Sequence, residues 1–122
     1  MEFMLFIATD PEAQPDAEPG GLTIDEWVAE MADRGVSIAG DRLRPPEYAR
    51  TVRVRGDDAI VTDGPFTESK EWIAGYDVIE CADFDEAIEI ASKHPMARFG
   101  RIEIRRAWPL GAPAEETRRP RA

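Results

Sequence analysis

The run Phe3-Met4-Leu5-Phe6-Ile7-Ala8 constrains the fold more than any other stretch of the chain. Six consecutive apolar residues, too few for a membrane span, describe a strand that is covered on both faces, because successive side chains point to opposite sides. One set, Phe3, Leu5 and Ile7, can meet helices. The other set, Met4, Phe6 and Ala8, then needs a second cover.

The helices that supply the first cover are legible downstream. Thr23 begins one, with Glu26 three residues on as its capping-box partner, and Ile24, Trp27, Val28 and Met31 form its apolar stripe. Gly35 stops it after Arg34. Asp83 and Glu86 repeat the capping pattern for a second helix with Phe84, Ala87, Ile88 and Ala91 as its stripe, closed by Pro95.

Strands fill the intervals. Val36 to Leu43 reads as one, ended by Pro45-Pro46. Arg50 to Arg55 alternates valine with arginine and returns through Gly56-Asp57-Asp58 into Ala59 to Thr62, which is a hairpin. The Arg55-Gly56-Asp57 tripeptide is spelled by that turn and carries no adhesion meaning of its own. Trp72 to Glu80 places Trp72, Ala74, Tyr76 and Val78 on one face and Ile73 and Ile79 on the other, and Arg101 to Arg106 turns Ile102 and Ile104 inward. The order is strand, helix, strands, strand, helix, strand. That is an α+β, ferredoxin-like antiparallel sheet with an additional hairpin and both helices on one face.

With the helices on one side, a second copy of the chain is the economical cover for the other, so a homodimer through the sheet face is expected. Residues 1–109 form one domain in this reading and residues 110–122 a flexible tail poor in apolar residues. The loop from Thr9 to Gly21, with three prolines, two glycines and four acids, is a candidate lid.

Composition narrows the function. The chain has 122 residues and a formal charge of −10, which argues against nucleic acid or an anionic membrane as partner. Nine of its acids precede residue 35 against the single base Arg34, the pattern of a solvated face. One cysteine, Cys81, permits no internal disulfide, and no leader or membrane-spanning run is evident, so a cytoplasmic location is expected. Cys81 also lacks a basic neighbour that would activate its thiol. A single histidine, His94, excludes imidazole-rich metal sites, and no phosphate or dinucleotide fingerprint occurs, so no cofactor and no metal are expected. Placed beside Lys93 at a helix C-terminus, His94 reads as a dipole-favoured structural cation.

The densest cluster of polar chemistry is Thr62 to Glu71, a Gly64-Pro65 turn flanked by ionisable groups. Asp63, Lys70 and Glu71 are the candidate catalytic residues. Asp63, Glu68, Lys70, Glu71, Tyr76, Glu103 and Arg105 are the candidate ligand-binding residues of a polar cleft near that turn. A structural salt-bridge network is the competing explanation for the same charges.

Thr62-Asp63-Gly64-Pro65-Phe66, followed by Glu68, Lys70-Glu71 and Gly75-Tyr76, resembles the signature of the YCII-related proteins of the DGPF subgroup. Leu43-Arg44-Pro45-Pro46, Asp85-Glu86-Ala87, Pro95 and Glu103-Ile104-Arg105 extend the resemblance to about residues 3–107. It implies a dimeric α+β barrel of ferredoxin-like halves, and a link to extracytoplasmic-function sigma factors through gene proximity. It implies no established substrate. A related branch of the family has been suggested to be enzymatic through a His-Asp pair near the first helix and second strand. Here Asp41 stands in the second strand but the histidine is His94, at the end of helix two, so a dyad of that type is not expected. Three functions follow as expectations: a homodimeric small-ligand-binding or regulatory domain; a small cofactor-independent enzyme using the carboxylates of the cleft; or an adaptor for a transcription factor.

Overall fold

The computed structural model describes residues 1–10, 20–64 and 72–113. The element order is β1 (Glu2–Thr9), α1 (Ile24–Asp33), β2 (Ser37–Arg42), a 3-10 turn at Pro46–Tyr48, β3 (Arg50–Arg55), β4 (Asp58–Asp63), β5 (Ile73–Glu80), α2 (Phe84–Ser92), α3 (Met96–Phe99) and β6 (Gly100–Arg106). Four strands make an antiparallel sheet in the order β2-β5-β1-β6. Each of the connections β1–α1–β2 and β5–α2–α3–β6 skips one strand position, which is the split βαβ arrangement of a ferredoxin-like α+β fold. The described residues of the single chain form no closed barrel.

Local chemistry explains the elements. Thr23 caps α1 by accepting from the Glu26 amide, while the Glu26 carboxylate accepts from the Thr23 amide. Asp83 caps α2 by accepting from the Glu86 amide at 2.8 Å. The strand-one expectation holds: Phe3, Leu5 and Ile7 are buried against the helices, and Met4, Phe6 and Ala8 are half-buried on the outer face. Trp27, Met31, Val36, Ile79, Cys81, Ala87, Ile90 and Ala91 complete the core. The Phe3 and Phe84 rings meet edge to face at 5.2 Å, and Trp27 donates its indole N–H to the Ile90 carbonyl at 3.0 Å. Outside the core, Arg34 grips Glu89 through both terminal nitrogens and also reaches Glu86, tying α1 to α2.

Three expectations need correction. Ile24, Val28 and Ile88 lie on the helix stripes but are about half exposed, while Ile90 is buried in their stead. The stripes are wider than the surface the sheet covers. Pro95 does not simply close helix two; it starts the short α3, whose existence no periodicity in four residues could show. The hairpin β3–β4 does not extend the main sheet. It forms a sheet of two strands, with Val52, Val54 and Val61 more than half exposed.

Among the described residues no helix is long and apolar enough to cross a membrane. The body of the Thr9 to Gly21 loop and the end of the tail, 11–19 and 114–122, lie outside the described residues.

Candidate functional site

The four-stranded sheet and α1 leave a cavity of about 650 Å³ between them. Its floor is made by β2 and β5. Side chains alternate along β5, so Gly75, Asp77 and Ile79 face the helices, and Gly40 and Arg42 of β2 stand opposite Asp77 and Gly75. Gly40 and Gly75 add no side chains to this floor, which leaves room under the first half of α1. Ile24, Trp27 and Val28 of α1 form the roof, Ile7 of β1 closes one side, and Pro95 and Met96 another. The exposed positions of Ile24 and Val28 are therefore the apolar lip of a cavity.

Into this apolar space project two titratable groups. The Asp77 side chain is 21% exposed and lies over Gly40, where any Cβ would collide with its Oδ1. It makes no hydrogen bond to the described residues. Burial, and secondarily the negative charge of Asp41 on the neighbouring strand, push its carboxyl up to about 6. The His94 residue is 5% exposed, with its ring edge against Trp27 at 4.7 Å between centroids. Its Nδ1 accepts the Met96 amide at 3.0 Å, so the neutral imidazole carries its proton on Nε2. That Nε2 is 4.0 Å from Asp77 Oδ2, beyond hydrogen-bond reach. Burial pushes the His94 pKa below the ordinary histidine value.

His94 is thus not the dipole-stabilised cation expected from its place at a helix end. Withdrawing the ring from water overrides the modest attraction of a helix C-terminus for positive charge. A histidine and an aspartate do meet, but through β5 and the α2–α3 junction rather than through the first helix and second strand. Asp41, the aspartate that the second strand offers, is opposite Tyr76, on the outer-face register. It lines the cavity and acts on Asp77 through its charge. At the mouth stand Asp25, in the first turn of α1, and Arg42, which makes no hydrogen bond or ion pair among the described residues.

The residues singled out in the sequence are placed elsewhere. Asp63 ends β4, where its carboxylate, 86% exposed, pairs with Arg50 Nε at 3.1 Å. Tyr76, Glu103 and Arg105 share the outer face of the main sheet. Tyr76 and Glu103 flank Phe6, and Arg105 is opposite Met4. Tyr76 alone of this set also borders the cavity. Glu68, Lys70 and Glu71 lie outside the described residues. Asp77 and His94 were therefore the pair to find, and one signal pointed to the first: an acid at an inward position between Gly75 and Ile79 breaks the rule that buried carboxylates are rare.

Other chemistry is sparse. Cys81 is buried, and desolvation together with nearby Glu86 raises its pKa, which keeps it a thiol. Among the described residues no group of three or more His, Cys, Asp or Glu side chains could hold a metal ion.

A fold of two split βαβ units with a polar pair in the half-open cavity beneath α1 defines a small α+β domain with a candidate site under that helix. The sequence profile of the YCII-related domain matches residues 1–110, and the chain belongs to that family. It is also 46% identical over 50 residues to the uncharacterized protein R00369 of Rhizobium meliloti (strain 1021). That alignment covers 41% of this chain and 40% of the relative.

Proposed function

We propose that this chain is a small-molecule-binding domain whose cavity carries an acid–base pair, Asp77 and His94, and that it works as a homodimer. Within its family the Asp63-Gly64-Pro65-Phe66 motif supports assignment to the DGPF type. The observation that carries the reading is the half-buried Asp77 carboxylate, without a hydrogen bond among the described residues, facing a neutral imidazole inside a largely apolar cavity. A cavity of this volume falls within the range of sites that enclose small ligands, and a few convergent polar groups on apolar walls are the usual composition of such sites.

An enzymatic reading of the same pair is favoured by the position of Asp77 near pH 6. A carboxylate titrating there is mostly ionised at pH 7 yet basic enough to accept a proton from a bound molecule. His94 Nε2–H supplies the matching donor. The carboxylates near the Gly64-Pro65 turn, first in line for that role by sequence, have only the exposed Asp63 within the described residues.

The dimer rests on the outer face of the sheet. Met4, Phe6, Ala8, Ala74, Tyr76 and Val78 are half-exposed there, with no helix among the described residues over them. At roughly 25 cal/mol per Å², covering a few hundred Å² of that face stabilises the assembly by several kcal/mol, and an identical face on a second copy is self-complementary.

The test is two-dimensional NMR of the isotope-labelled protein with a set of small aromatic and aliphatic compounds. Shifts gathered at Gly40, Gly75, Asp77 and Met96 are expected for those that bind. Binding confined to the β3–β4 hairpin, or no binding by any compound, contradicts the cavity reading. Sedimentation equilibrium at micromolar concentration checks the assembly: a clean monomer of 13.6 kDa contradicts the dimer.

A further inference from the structure

The polar groups of the cavity specify the kind of molecule it takes. Asp77 offers only acceptors, and no donor among the described residues meets them. His94 Nε2–H offers a donor that meets no acceptor among the described residues, the 4.0 Å to Asp77 Oδ2 being too long for a hydrogen bond. An oxygen placed about 2.8 Å from each atom closes a triangle on that 4.0 Å base, at ordinary O–H···O and N–H···O distances. That oxygen must donate to Asp77 and accept from His94 at once.

Among common functional groups a hydroxyl does both. A carboxylate satisfies His94 but faces Asp77, with Asp41 and Asp25 also on the cavity wall and Arg42 the one cation among the described residues that line it. An ammonium satisfies Asp77 but turns its protons toward His94 Nε2–H, which cannot become an acceptor while Nδ1 holds the Met96 amide. The remaining walls, Ile7, Ile24, Trp27, Val28 and Met96, are apolar and leave room for a ring-sized body.

We infer that the cavity binds a neutral, hydroxyl-bearing molecule with an apolar body, its oxygen seated between Asp77 Oδ2 and His94 Nε2. This deepens the small-molecule reading above and rests on it. In such a complex the hydroxyl proton faces Asp77, and charge developing on the oxygen is met by the imidazole N–H.

Four compounds of one shape separate the possibilities: toluene, benzyl alcohol, benzoate and benzylamine, titrated by calorimetry and by NMR at pH 7.5 into the wild type and into Asp77→Leu. A hydrogen bond to a charged acceptor makes benzyl alcohol bind about tenfold more tightly than toluene, and Asp77→Leu removes that preference while toluene binding persists. The ring proton signals of His94, the protein's sole histidine, shift with the alcohol and not with toluene. Asp77→Asn, which keeps the shape of the site, shows an intermediate preference and guards against a folding defect in the leucine variant. Tighter binding of benzoate or benzylamine than of benzyl alcohol overturns the inference, as does a preference that survives Asp77→Leu. Equal binding of all four also overturns it but leaves the cavity reading standing. Failure of all four to move any cavity resonance overturns both.

Discussion

Asp63 and Asp77 lie in parts of the molecule that treat a carboxylate in opposite ways. Asp63 ends the β3–β4 hairpin, almost fully in water, with Arg50 3.1 Å away. Asp77 sits in the middle of β5, mostly withdrawn from water, with no hydrogen-bond donor among the described residues and with the negative charge of Asp41 behind it. The exposed pair is screened and contributes little. The enclosed carboxylate carries a desolvation cost that nothing in the described chain offsets, which is the condition under which a side chain is held ready for something outside the protein. A motif rich in charge need not be a site, and a single acid in the wrong place for stability can be.

The largest effect that separates the two regions is on stability. With Asp77 raised from 3.8 to about 6, the folded state holds a proton between those values that the unfolded state has released. Stability from this group is therefore full below about pH 4 and is lost as pH rises through 6. A shift of about two units corresponds to roughly 3 kcal/mol, so Asp77→Asn is expected to raise unfolding free energy at pH 7 by up to about 3 kcal/mol. Denaturant unfolding measures it, and the gain should vanish near pH 4. A destabilised variant would remove the distinction between Asp77 and Asp63. His94 acts in the opposite sense: its depressed pKa gives stability that is present above pH 6.5 and lost as pH falls through the folded value.

Next in size is Gly40→Ala. The added Cβ meets the Asp77 carboxylate directly, so either the side chain or the strand must move. A loss of about 1–3 kcal/mol is expected, together with a weaker preference of the cavity for benzyl alcohol over toluene. Trp27→Phe tests the roof of the same cavity. It removes the buried indole N–H that satisfies the Ile90 carbonyl and should cost about 1–3 kcal/mol in chemical denaturation. The smallest effect belongs to the hairpin: Asp63→Asn breaks an exposed ion pair and should change stability by less than about 0.5 kcal/mol and leave cavity binding unchanged. A large loss of binding in that variant would return the turn to the centre of the function.

Much of the scaffold was written in local patterns. The two caps, the alternation of β1 and the hairpin turn all depend on residues within a few positions of one another and are legible in place, whereas the alternation of β5 misplaces Ile73, which a register shift sets opposite Ala8 and leaves about half exposed. The site was not legible in that way, because it is made by contacts between distant segments. Asp77 and Gly40 meet through the β2–β5 register, and His94 is held at the cavity where α3 begins just after Pro95 and presents the Met96 amide to its Nδ1. The apolar stripes misplaced Ile24 and Val28 for a related reason. Helical spacing shows which residues share a face, but not how far the sheet beneath extends, and here part of that face overhangs the cavity.

Asp77 is a largely buried carboxylate, without a hydrogen bond among the described residues, beside a neutral histidine. Carbon-13 NMR of the aspartate side-chain carboxyls as a function of pH tests it directly. Asp77 is expected to titrate at about 6, with His94 still neutral at pH 7 in the same sample. An Asp77 midpoint near 4, in the range of an aspartate in water, or a His94 that is charged at pH 7, would contradict the account.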